Sequence, residues 1–510
     1  MKNQLDRIHD GSPAPGLVRL KQRILSGMER SISLGLVASL LVAFGSAASA
    51  ADLYYNRAGN PNWFGTTPWS TTGTSGPFNQ SWTDGNTAIF GSGTAVTVLL
   101  NNNVAVAGLT NLGASEVALD SSGGLRTLTF SGGTMTGNFS LNTLTITGNL
   151  TQASGNINWG GATSAYSGTY TSAGGILDIG QSTRLGSNSN FGITGGAVRL
   201  ALNSATPVMG AVSMSAGSLR IGRFTGAFVF NLSISELSGT GGTIGNQGNS
   251  DVSNPTNTLT INQATNTTFS GVINGAFQGN NDRLALVKSG SGTLTLSGPI
   301  SNMVRGTTVS GGVLNLTGTA AKSFGNTLTS TAIQVNSNAT LGVTGTVTTL
   351  AGTSIIIASG GTLAAGISGT AGLSTYAIGT GGALDISAIN PGALAFELGS
   401  DTTAGTTYDQ IRLTSGSLAI GSALLNFDDF SFTALSGFGE GTYTLFQTVG
   451  ITGTLGSSLT GFISGNSATL SLSGNNVLLN VVPEPSTLAT LLFGGLALLG
   501  GRLRRRHRKI

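Results

Sequence analysis

One short unit recurs along this chain of 510 residues, and its spacing limits the fold more than any other feature. The unit reads Gly-Gly-x-apolar-x-apolar, and close copies begin at Gly174, Gly195, Ala216, Gly311 and Gly381. Between first apolar positions, the spacing is 21 residues for Leu177 to Val198 and for Val198 to Leu219, 20 for Leu294 to Leu314, and 21 for Leu363 to Leu384. A repeat of this length indicates a solenoid or a repeat array.

Within the units, polar and apolar residues alternate with a period of two, as in Thr258–Ile261 and Thr293–Leu296. This alternation predicts strands, and no helical periodicity of useful length accompanies it. A coil of about 21 residues has room for two or three short strands, with glycine at the corners that need a positive φ. We therefore predict an all-β fold, a parallel β-helix (β-solenoid) of about 20 coils. An antiparallel sandwich array is the competing architecture.

The first 50 residues are typical of a secretory signal peptide. A basic segment precedes an apolar run from Ile32 to Phe44, and the small residues Ala48-Ser49-Ala50 form an A-x-A site. This order predicts cleavage between Ala50 and Ala51. The basic segment is long, so Met28 is an alternative start to Met1.

The other end combines a short Pro-rich motif, an apolar stretch and a basic cluster. Pro483-Glu484-Pro485-Ser486 precedes the apolar residues 487–501, and the cluster contains Arg502, Arg504, Arg505 and Arg506. The apolar stretch predicts a short transmembrane helix. The basic cluster would lie on the cytoplasmic side, so the body would lie outside.

This end resembles the PEP-CTERM sorting tail of Gram-negative bacteria, on the residues Val482-Pro483-Glu484-Pro485-Ser486, Gly494-Gly495-Leu496 and the Arg cluster. The resemblance implies processing by an exosortase-type membrane transpeptidase in bacteria that make exopolysaccharide. The inner-membrane anchor would then be removed from the mature protein. A permanent membrane anchor is the alternative.

Charge divides sharply between the body and the ends. Residues 51–482 carry 15 acidic and 11 basic side chains, a net charge of −4, so the overall charge of +4 comes from the ends. A nucleic-acid partner needs a basic surface on the folded part, and none is predicted. The chain has no cysteine, and its two histidines, His9 and His507, lie in the ends. Disulfides and thiol catalysis are excluded, and we predict no catalytic residue, no metal site and no cofactor.

One segment of the body carries a second resemblance. Residues 286–298 read LVKSGSGTLTLSG, and residues 306–316 read GTTVSGGVLNL. Together they resemble the autotransporter-associated strand repeat of large surface passenger proteins, although residues 301–305 depart from the usual aromatic and glycine there. The resemblance implies a right-handed parallel β-helix.

Two clusters are candidate sites, one aromatic and one acidic. Trp63, Trp69 and Trp82 fall within 20 residues and predict a hydrophobic cap on the first coil, with a platform for sugar rings as the functional alternative. Asp428-Asp429 is an adjacent acidic pair. Adjacent strand residues point to opposite faces, so this pair does not suit a glycosidase and is read as a turn. A Ca²⁺ site of hard oxygen ligands is the alternative.

These features predict five segments: a signal peptide (1–50), a Trp-rich N-terminal cap (51–110), solenoid repeats (111–400), C-terminal coils and a cap (401–481), and a sorting segment (482–510). We expect an exported, non-enzymatic structural or adhesion protein of the cell surface or exopolysaccharide matrix. The alternatives are a polysaccharide-active enzyme on a β-helix and a carbohydrate-binding surface module.

Overall fold

The computed structural model of the protein describes residues 50–58, 61–160, 165–180, 182–202, 206–222, 229–247, 256–276 and 284–483. The chain forms two compact units, Met1–Ala51 and Asp52–Ile510, and every strand below belongs to the second unit. The described residues contain strands and two short 3-10 turns, Ser182–Arg184 and Phe427–Asp429, and they contain no α-helix. The predicted signal peptide and sorting helix lie outside the described residues.

The strands form two sheets. The first contains β1 (Asp52–Tyr55), β2 (Trp69–Ser70), β3 (Asn86–Phe90), β5 (Val104–Asn111), β7 (Arg126–Thr136), β9 (Leu144–Ser154), β11 (Gly168–Ser172), β13 (Ser189–Ile193), β15 (Val208–Met214), β17 (Asn231–Gly239), β19 (Asn257–Asn262), β20 (Thr267–Phe269), β22 (Leu284–Ser289), β23 (Thr293–Leu296), β25 (Thr307–Val309), β26 (Gly312–Leu316), β28 (Thr331–Val335), β29 (Ala339–Val343), β31 (Ser354–Ile357), β32 (Thr362–Ala365), β34 (Ala383–Asp385), β35 (Leu394–Leu398), β37 (Ser417–Leu425), β38 (Phe430–Ala434) and β40 (Ile451–Leu455).

The second sheet contains β4 (Val96–Leu100), β6 (Val117–Ser121), β8 (Phe139–Leu141), β10 (Asn156–Trp159), β12 (Ile176–Ile179), β14 (Ala197–Leu200), β16 (Ser218–Ile221), β18 (Thr243–Asn246), β21 (Val272–Asn274), β24 (Ile300–Met303), β27 (Lys322–Phe324), β30 (Gly345–Thr349), β33 (Leu373–Ala377), β36 (Gln410–Ser415), β39 (Gly441–Gln447), β41 (Thr460–Ile463), β42 (Asn466–Ser473) and β43 (Asn476–Val482).

Parallel stacking of each coil on the next organises both sheets. In the second sheet, β12 pairs with β14 and β14 with β16, always in parallel. Leu177, Val198 and Leu219 are register partners along this stack, and all three side chains are fully buried. The repeat spacing therefore predicted the register here, and the solenoid-like, parallel, all-β architecture is confirmed.

The coils are not of constant length, and here the prediction needs correction. Register partners are 21 residues apart at Asp178–Arg199 but 35 apart at Arg412–Gln447. From β19 to β39, each coil contributes three strands, two in the first sheet and one in the second. The described part of the second sheet has 15 successive parallel strands, fewer than the predicted 20 or so coils.

The longer coils change the register partners of Leu363 and Leu384. Their 21-residue spacing predicts that they are register partners, and this is wrong: Leu363 pairs with Leu394, and Leu384 pairs with Ile355. Counted in threes from β19, β32 is the second strand of one coil and β34 is the first strand of the next. The Gly-Gly units that precede these two strands therefore mark different corners, so the spacing stays at 21 residues while the register partners change.

Glycine is required where a corner of one coil rests on the backbone of the previous one. Gly175 has φ +72°, and a Cβ atom added there would lie 2.0 Å from the carbonyl oxygen of Gly155. Gly217 repeats this arrangement, with φ +68° and a distance of 2.2 Å to the carbonyl oxygen of Gly196. A side chain at either corner would both strain the backbone and separate the coils.

Two lysines lie inside the coils. Lys288 and Lys322 are 0% and 1% exposed, and they are the body's only lysines. The Lys288 Nζ atom donates to the carbonyl oxygens of Ser289, Gly290 and Gly311 at 2.9, 3.0 and 2.9 Å. Gly311 belongs to the following coil, so this ammonium joins two coils through backbone groups. Burial lowers the pKa of Lys288 to about 8.

The buried lysines give a test of the fold. We expect an N-hydroxysuccinimide ester at pH 8.5 to leave Lys288 and Lys322 unmodified in native buffer and to modify both in concentrated urea. The lowered pKa leaves much of the Lys288 amine neutral at that pH, so only burial would prevent the reaction. Peptide mass spectrometry measures the modified fraction, and equal modification in both buffers would contradict the stacking.

Candidate functional site

The sorting segment begins where the last described strand ends. Val482 is the final residue of β43, pairs with Ser467 of β42 and is 55% exposed. Pro483 follows directly and is exposed. Proline has no N–H to donate to a strand ladder, so it ends the pairing at this point. The strand β43 therefore joins the sorting motif directly, without an intervening linker.

The remaining residues of the predicted targeting segments lie outside the described part of the chain. These are Ala48, Glu484, Pro485, Ser486, Arg502, Arg504, Arg505 and Arg506. Ala50 and Ala51, at the predicted signal cleavage site, are described and exposed. Within the described ranges, the structure holds no helix of the length and apolarity that crossing a membrane requires.

The three predicted N-terminal tryptophans form one buried cluster. The ring centroids of Trp63, Trp69 and Trp82 are 4.9 Å apart in every pair. Their exposures are 0%, 0% and 8%. The Trp69 Nε1 atom donates to the carbonyl oxygen of Trp63 at 3.0 Å, and Trp82 Nε1 donates to Asp84 at 2.9 Å. Tyr55 contacts the same cluster, 5.1 Å from Trp69.

This packing bears on the interpretation as a sugar platform. A sugar ring stacks on an exposed aromatic face, whereas these indole faces contact one another. Binding of a sugar would require the cluster to open and would lose aromatic contacts that each contribute about 0.5–1.5 kcal/mol. Sugar contact by these residues stays a prediction, and the observed geometry does not support it.

Asp428 and Asp429 lie in the 3-10 turn Phe427–Asp429, in agreement with their interpretation as a turn. Asp428 is exposed, whereas Asp429 is 6% exposed and accepts a hydrogen bond from the backbone N–H of Asn426 at 2.7 Å. Burial raises the pKa of Asp429, and the neighbouring charge of Asp428 adds to this rise. The two carboxylates do not converge on a common site.

Another pair of carboxylates does converge, and sequence reasoning missed it. Asp409 is 1% exposed and precedes β36, while Glu397 lies in β35 and is 9% exposed. The Asp409 Oδ2 atom accepts a hydrogen bond from the backbone N–H of Glu397 at 2.7 Å, and Oδ1 accepts one from Gly372 at 2.6 Å. Glu397 Oε1 accepts one from the backbone N–H of Gly369.

The sequence held only a weak signal for this pair. The two residues are 12 positions apart, and the chain between them leaves the strands and returns before β36. The sequence predicts only that Asp409 belongs to a structural coil near the C-terminal end. A period-two pattern does not indicate that a loop will place Asp409 beside β35. The available clue was an acidic residue on each side of a Gly- and Thr-rich loop.

Burial dominates the electrostatics of Asp409. It raises the pKa of Asp409 to about 7; the N–H bonds from Glu397 and Gly372 oppose this rise, and the Glu397 charge adds to it. Among the described residues, no three or more His, Cys, Asp or Glu side chains group together in a way that could hold a metal ion. Asp409 is therefore a buried carboxyl group whose pKa lies close to neutrality.

Two family models match the chain. The PEP-CTERM protein-sorting motif matches residues 481–509, and the passenger-associated-transport-repeat matches residues 286–316. Both suspected resemblances are thus confirmed: the chain carries a PEP-CTERM sorting motif and a passenger-type repeat. No curated protein matches the chain. The matches imply an exported, membrane-anchored surface protein of Gram-negative bacteria that exosortase processes, with a β-rich repeat body. Neither match describes an enzyme.

The tryptophan cluster generates a stability prediction. We expect Trp69→Ala to lower the free energy of unfolding by about 4 kcal/mol, since it removes a large buried side chain from a packed cluster. Urea unfolding followed by circular dichroism measures the change. The control is Leu328→Ala, at a side chain that is 60% exposed, where we expect less than about 0.5 kcal/mol. Equal effects of the two substitutions would contradict the buried cluster.

Asp409 generates a prediction about pH. Its pKa in the folded protein lies above the value of about 3.9 for an unfolded chain. The folded state therefore binds the proton more tightly, and this contribution to stability is present below pH 4 and lost as the pH rises through 7. In EDTA buffer, we expect the unfolding temperature to fall between pH 5 and pH 8.

The matched variants identify the group. Asp409→Asn should reduce the fall in unfolding temperature between pH 5 and pH 8, leaving the part that comes from Asp429 and other groups. Asp52→Asn, at an exposed position, should leave the fall unchanged. The same pH dependence in all three proteins would show that Asp409 does not titrate in this range.

Proposed function

We propose that the protein is exported and sorted to the cell surface, where its solenoid body acts as a structural or adhesive element of the exopolysaccharide matrix. The junction at Val482 carries this proposal. There, β43, the last described strand, ends at Val482, the second residue of the matched sorting motif. Because the sorting signal follows the stacked body directly, the part that the signal carries to the cell surface is the stacked body itself.

The route begins with the signal peptide of residues 1–50, which is removed between Ala50 and Ala51. Residues 487–501 then hold the precursor in the inner membrane as a transmembrane helix, with the Arg cluster in the cytoplasm. An exosortase-type transpeptidase recognises Pro483-Glu484-Pro485 and removes the tail. The body that remains is a right-handed β-helix, consistent with the strong preference for right-handed connections between parallel strands.

The surface of the body supports contact rather than catalysis. Charged residues make up 8% of the chain, and the body has neither histidine nor cysteine. The strand positions that face outward are mostly Thr, Ser and Asn, as in Thr258 and Thr260 beside the buried Leu259 and Ile261. Rows of hydroxyl and amide groups can exchange hydrogen bonds with a polysaccharide. We propose no enzymatic activity, no cofactor and no nucleic-acid partner.

The same observations support the proposed domain division. The tryptophan cluster closes the first coils within residues 51–110, repeats extend through 111–400, and residues 401–481 form the last coils and the antiparallel closure. At this end, β43 pairs antiparallel with both β39 and β42. An antiparallel closure protects a sheet edge that would otherwise accept another strand.

The sorting step is tested in an exopolysaccharide-producing host that contains an exosortase. We expect mature protein from the extracellular matrix to lack all peptides beyond about Ser486, because the tail is removed. A Pro483→Ala and Pro485→Ala double variant should remain in the membrane fraction with its Arg-rich C-terminus. Mass spectrometry of both fractions measures this, and an intact C-terminus on matrix protein would contradict removal.

The matrix role is tested on the same material. Wild-type protein should cofractionate with exopolysaccharide and leave it when the polysaccharide is digested. Release of unsaturated or reducing sugar ends from acidic polysaccharides by the purified protein would contradict the structural role and favour an enzyme. Glycan binding that is lost on substitution of Trp63, Trp69 and Trp82, with folding intact, would instead favour a carbohydrate-binding module.

A further inference from the structure

The Glu397 and Asp409 side chains line a small cavity beside three consecutive coils. Its volume is about 110 Å³, and its polar lining consists of Ser368, Glu397, Asp409, Ser431 and Thr433. The lining includes residues of β32, β35 and β38, which pair in parallel. Thr433 is the register partner of Glu397 on the following coil.

One carboxylate oxygen in this site has no hydrogen-bond partner in the part of the chain that the structure describes. Both oxygens of Asp409 and the Oε1 atom of Glu397 accept backbone N–H groups. The Glu397 Oε2 atom is buried and has no hydrogen-bond partner among the described residues. Burying a carboxylate oxygen without a hydrogen-bond partner is unfavourable, because the oxygen loses its water and gains no donor in return. A cation or a hydrogen-bond donor bound in the cavity would therefore satisfy this oxygen atom.

No basic side chain among the described residues forms an ion pair with either carboxylate. Among the described residues, the ion pair is Arg199–Asp178, which lies on β12 and β14 rather than at this cavity. Three backbone N–H groups are the donors that reach the two carboxylates. Backbone donors carry only partial charge, so two carboxylates in one small cavity leave a net negative site.

The chemistry of the lining selects the ligand class. It offers carboxylate and hydroxyl oxygens and neither nitrogen nor sulfur side-chain ligands. Hard divalent cations take such oxygens, and Ca²⁺ accepts six to eight of them in a flexible arrangement. At about 30 Å³ per water molecule, a cavity of this size has room for one ion with two or three waters. Mg²⁺ demands a more regular octahedron and dehydrates reluctantly.

We propose that Glu397 and Asp409 bind one Ca²⁺ ion in this cavity, with water and neighbouring Ser and Thr hydroxyls completing its oxygen shell. Two carboxylates give a weak site, in the range of about 10⁻⁴–10⁻³ M that is typical of extracellular modules. The bound ion stabilises the C-terminal coils, because Glu397 also holds Gly369 and Asp409 also holds Gly372 in the loop after β32.

The experiment uses the full chain, first in EDTA and then in CaCl₂ at pH 7.5. Calorimetric titration should give one site in the stated range, and the unfolding temperature should rise with Ca²⁺. Glu397→Gln keeps the shape of the side chain and removes its charge, so it should weaken Ca²⁺ binding at least tenfold. Glu440→Gln, at an exposed carboxylate, should bind as the wild type does.

Three results would overturn the proposal. They are the absence of saturable Ca²⁺ binding to the wild-type chain, equal affinity in Glu397→Gln, and an equal loss in Glu440→Gln. The wild-type titration decides the matter even if Glu397→Gln does not fold. Thr433→Val offers a second variant, since it keeps both carboxylates, and a loss of Ca²⁺ affinity greater than that in Glu440→Gln supports the site. MgCl₂ in place of CaCl₂ should bind more weakly, and equal binding of both ions would contradict the assigned ion class.

Discussion

Parallel pairing between successive coils is the interaction on which the rest of the structure depends. Each strand donates and accepts along a neighbour that occupies the same position in the next coil, so equivalent side chains meet, as Leu177, Val198 and Leu219 do. Stability in such a stack is approximately a sum of coil terms and interfaces between neighbours. This explains why glycine stands at tight corners such as Gly175, where any side chain would hold two coils apart.

Stacking also accounts for the unusual buried polar groups. Lys288 reaches a carbonyl oxygen of the following coil, and Asp409 reaches the backbone of both β35 and the loop after β32. In each case the side chain forms hydrogen bonds with backbone groups that have no partner in the ladder between strands. The same low-dielectric surroundings lower the pKa of Lys288 and raise that of Asp409. Buried polar side chains therefore connect one coil to the next, whereas buried apolar side chains form the interior of each coil.

The sequence predicted the parts of the fold that depend on local periodicity. Leu177 and Val198 stand in a regular coil, so counting residues found their register. Counting failed at Leu363 and Leu384, because lengthening a loop between strands costs little free energy and leaves the corner motif unchanged. The Glu397–Asp409 pair was hidden for a related reason, since a loop excursion rather than a strand period brings its members together. The three tryptophans that cluster in the sequence are buried together in the structure, and their role as a cap on the first coil stays a prediction.

Short separations along the chain have a consequence for how the body forms. In the described parallel pairs, register partners lie 17 to 38 residues apart even though the chain has 510 residues. Folding rates fall as contacting residues become more distant in sequence, so a stack of this kind avoids the slow search that most all-β proteins face. A chain that emerges through a membrane from its N-terminus can add one coil at a time to a template already in place. The last pairing to form is then that of β43, the strand that ends at the sorting motif.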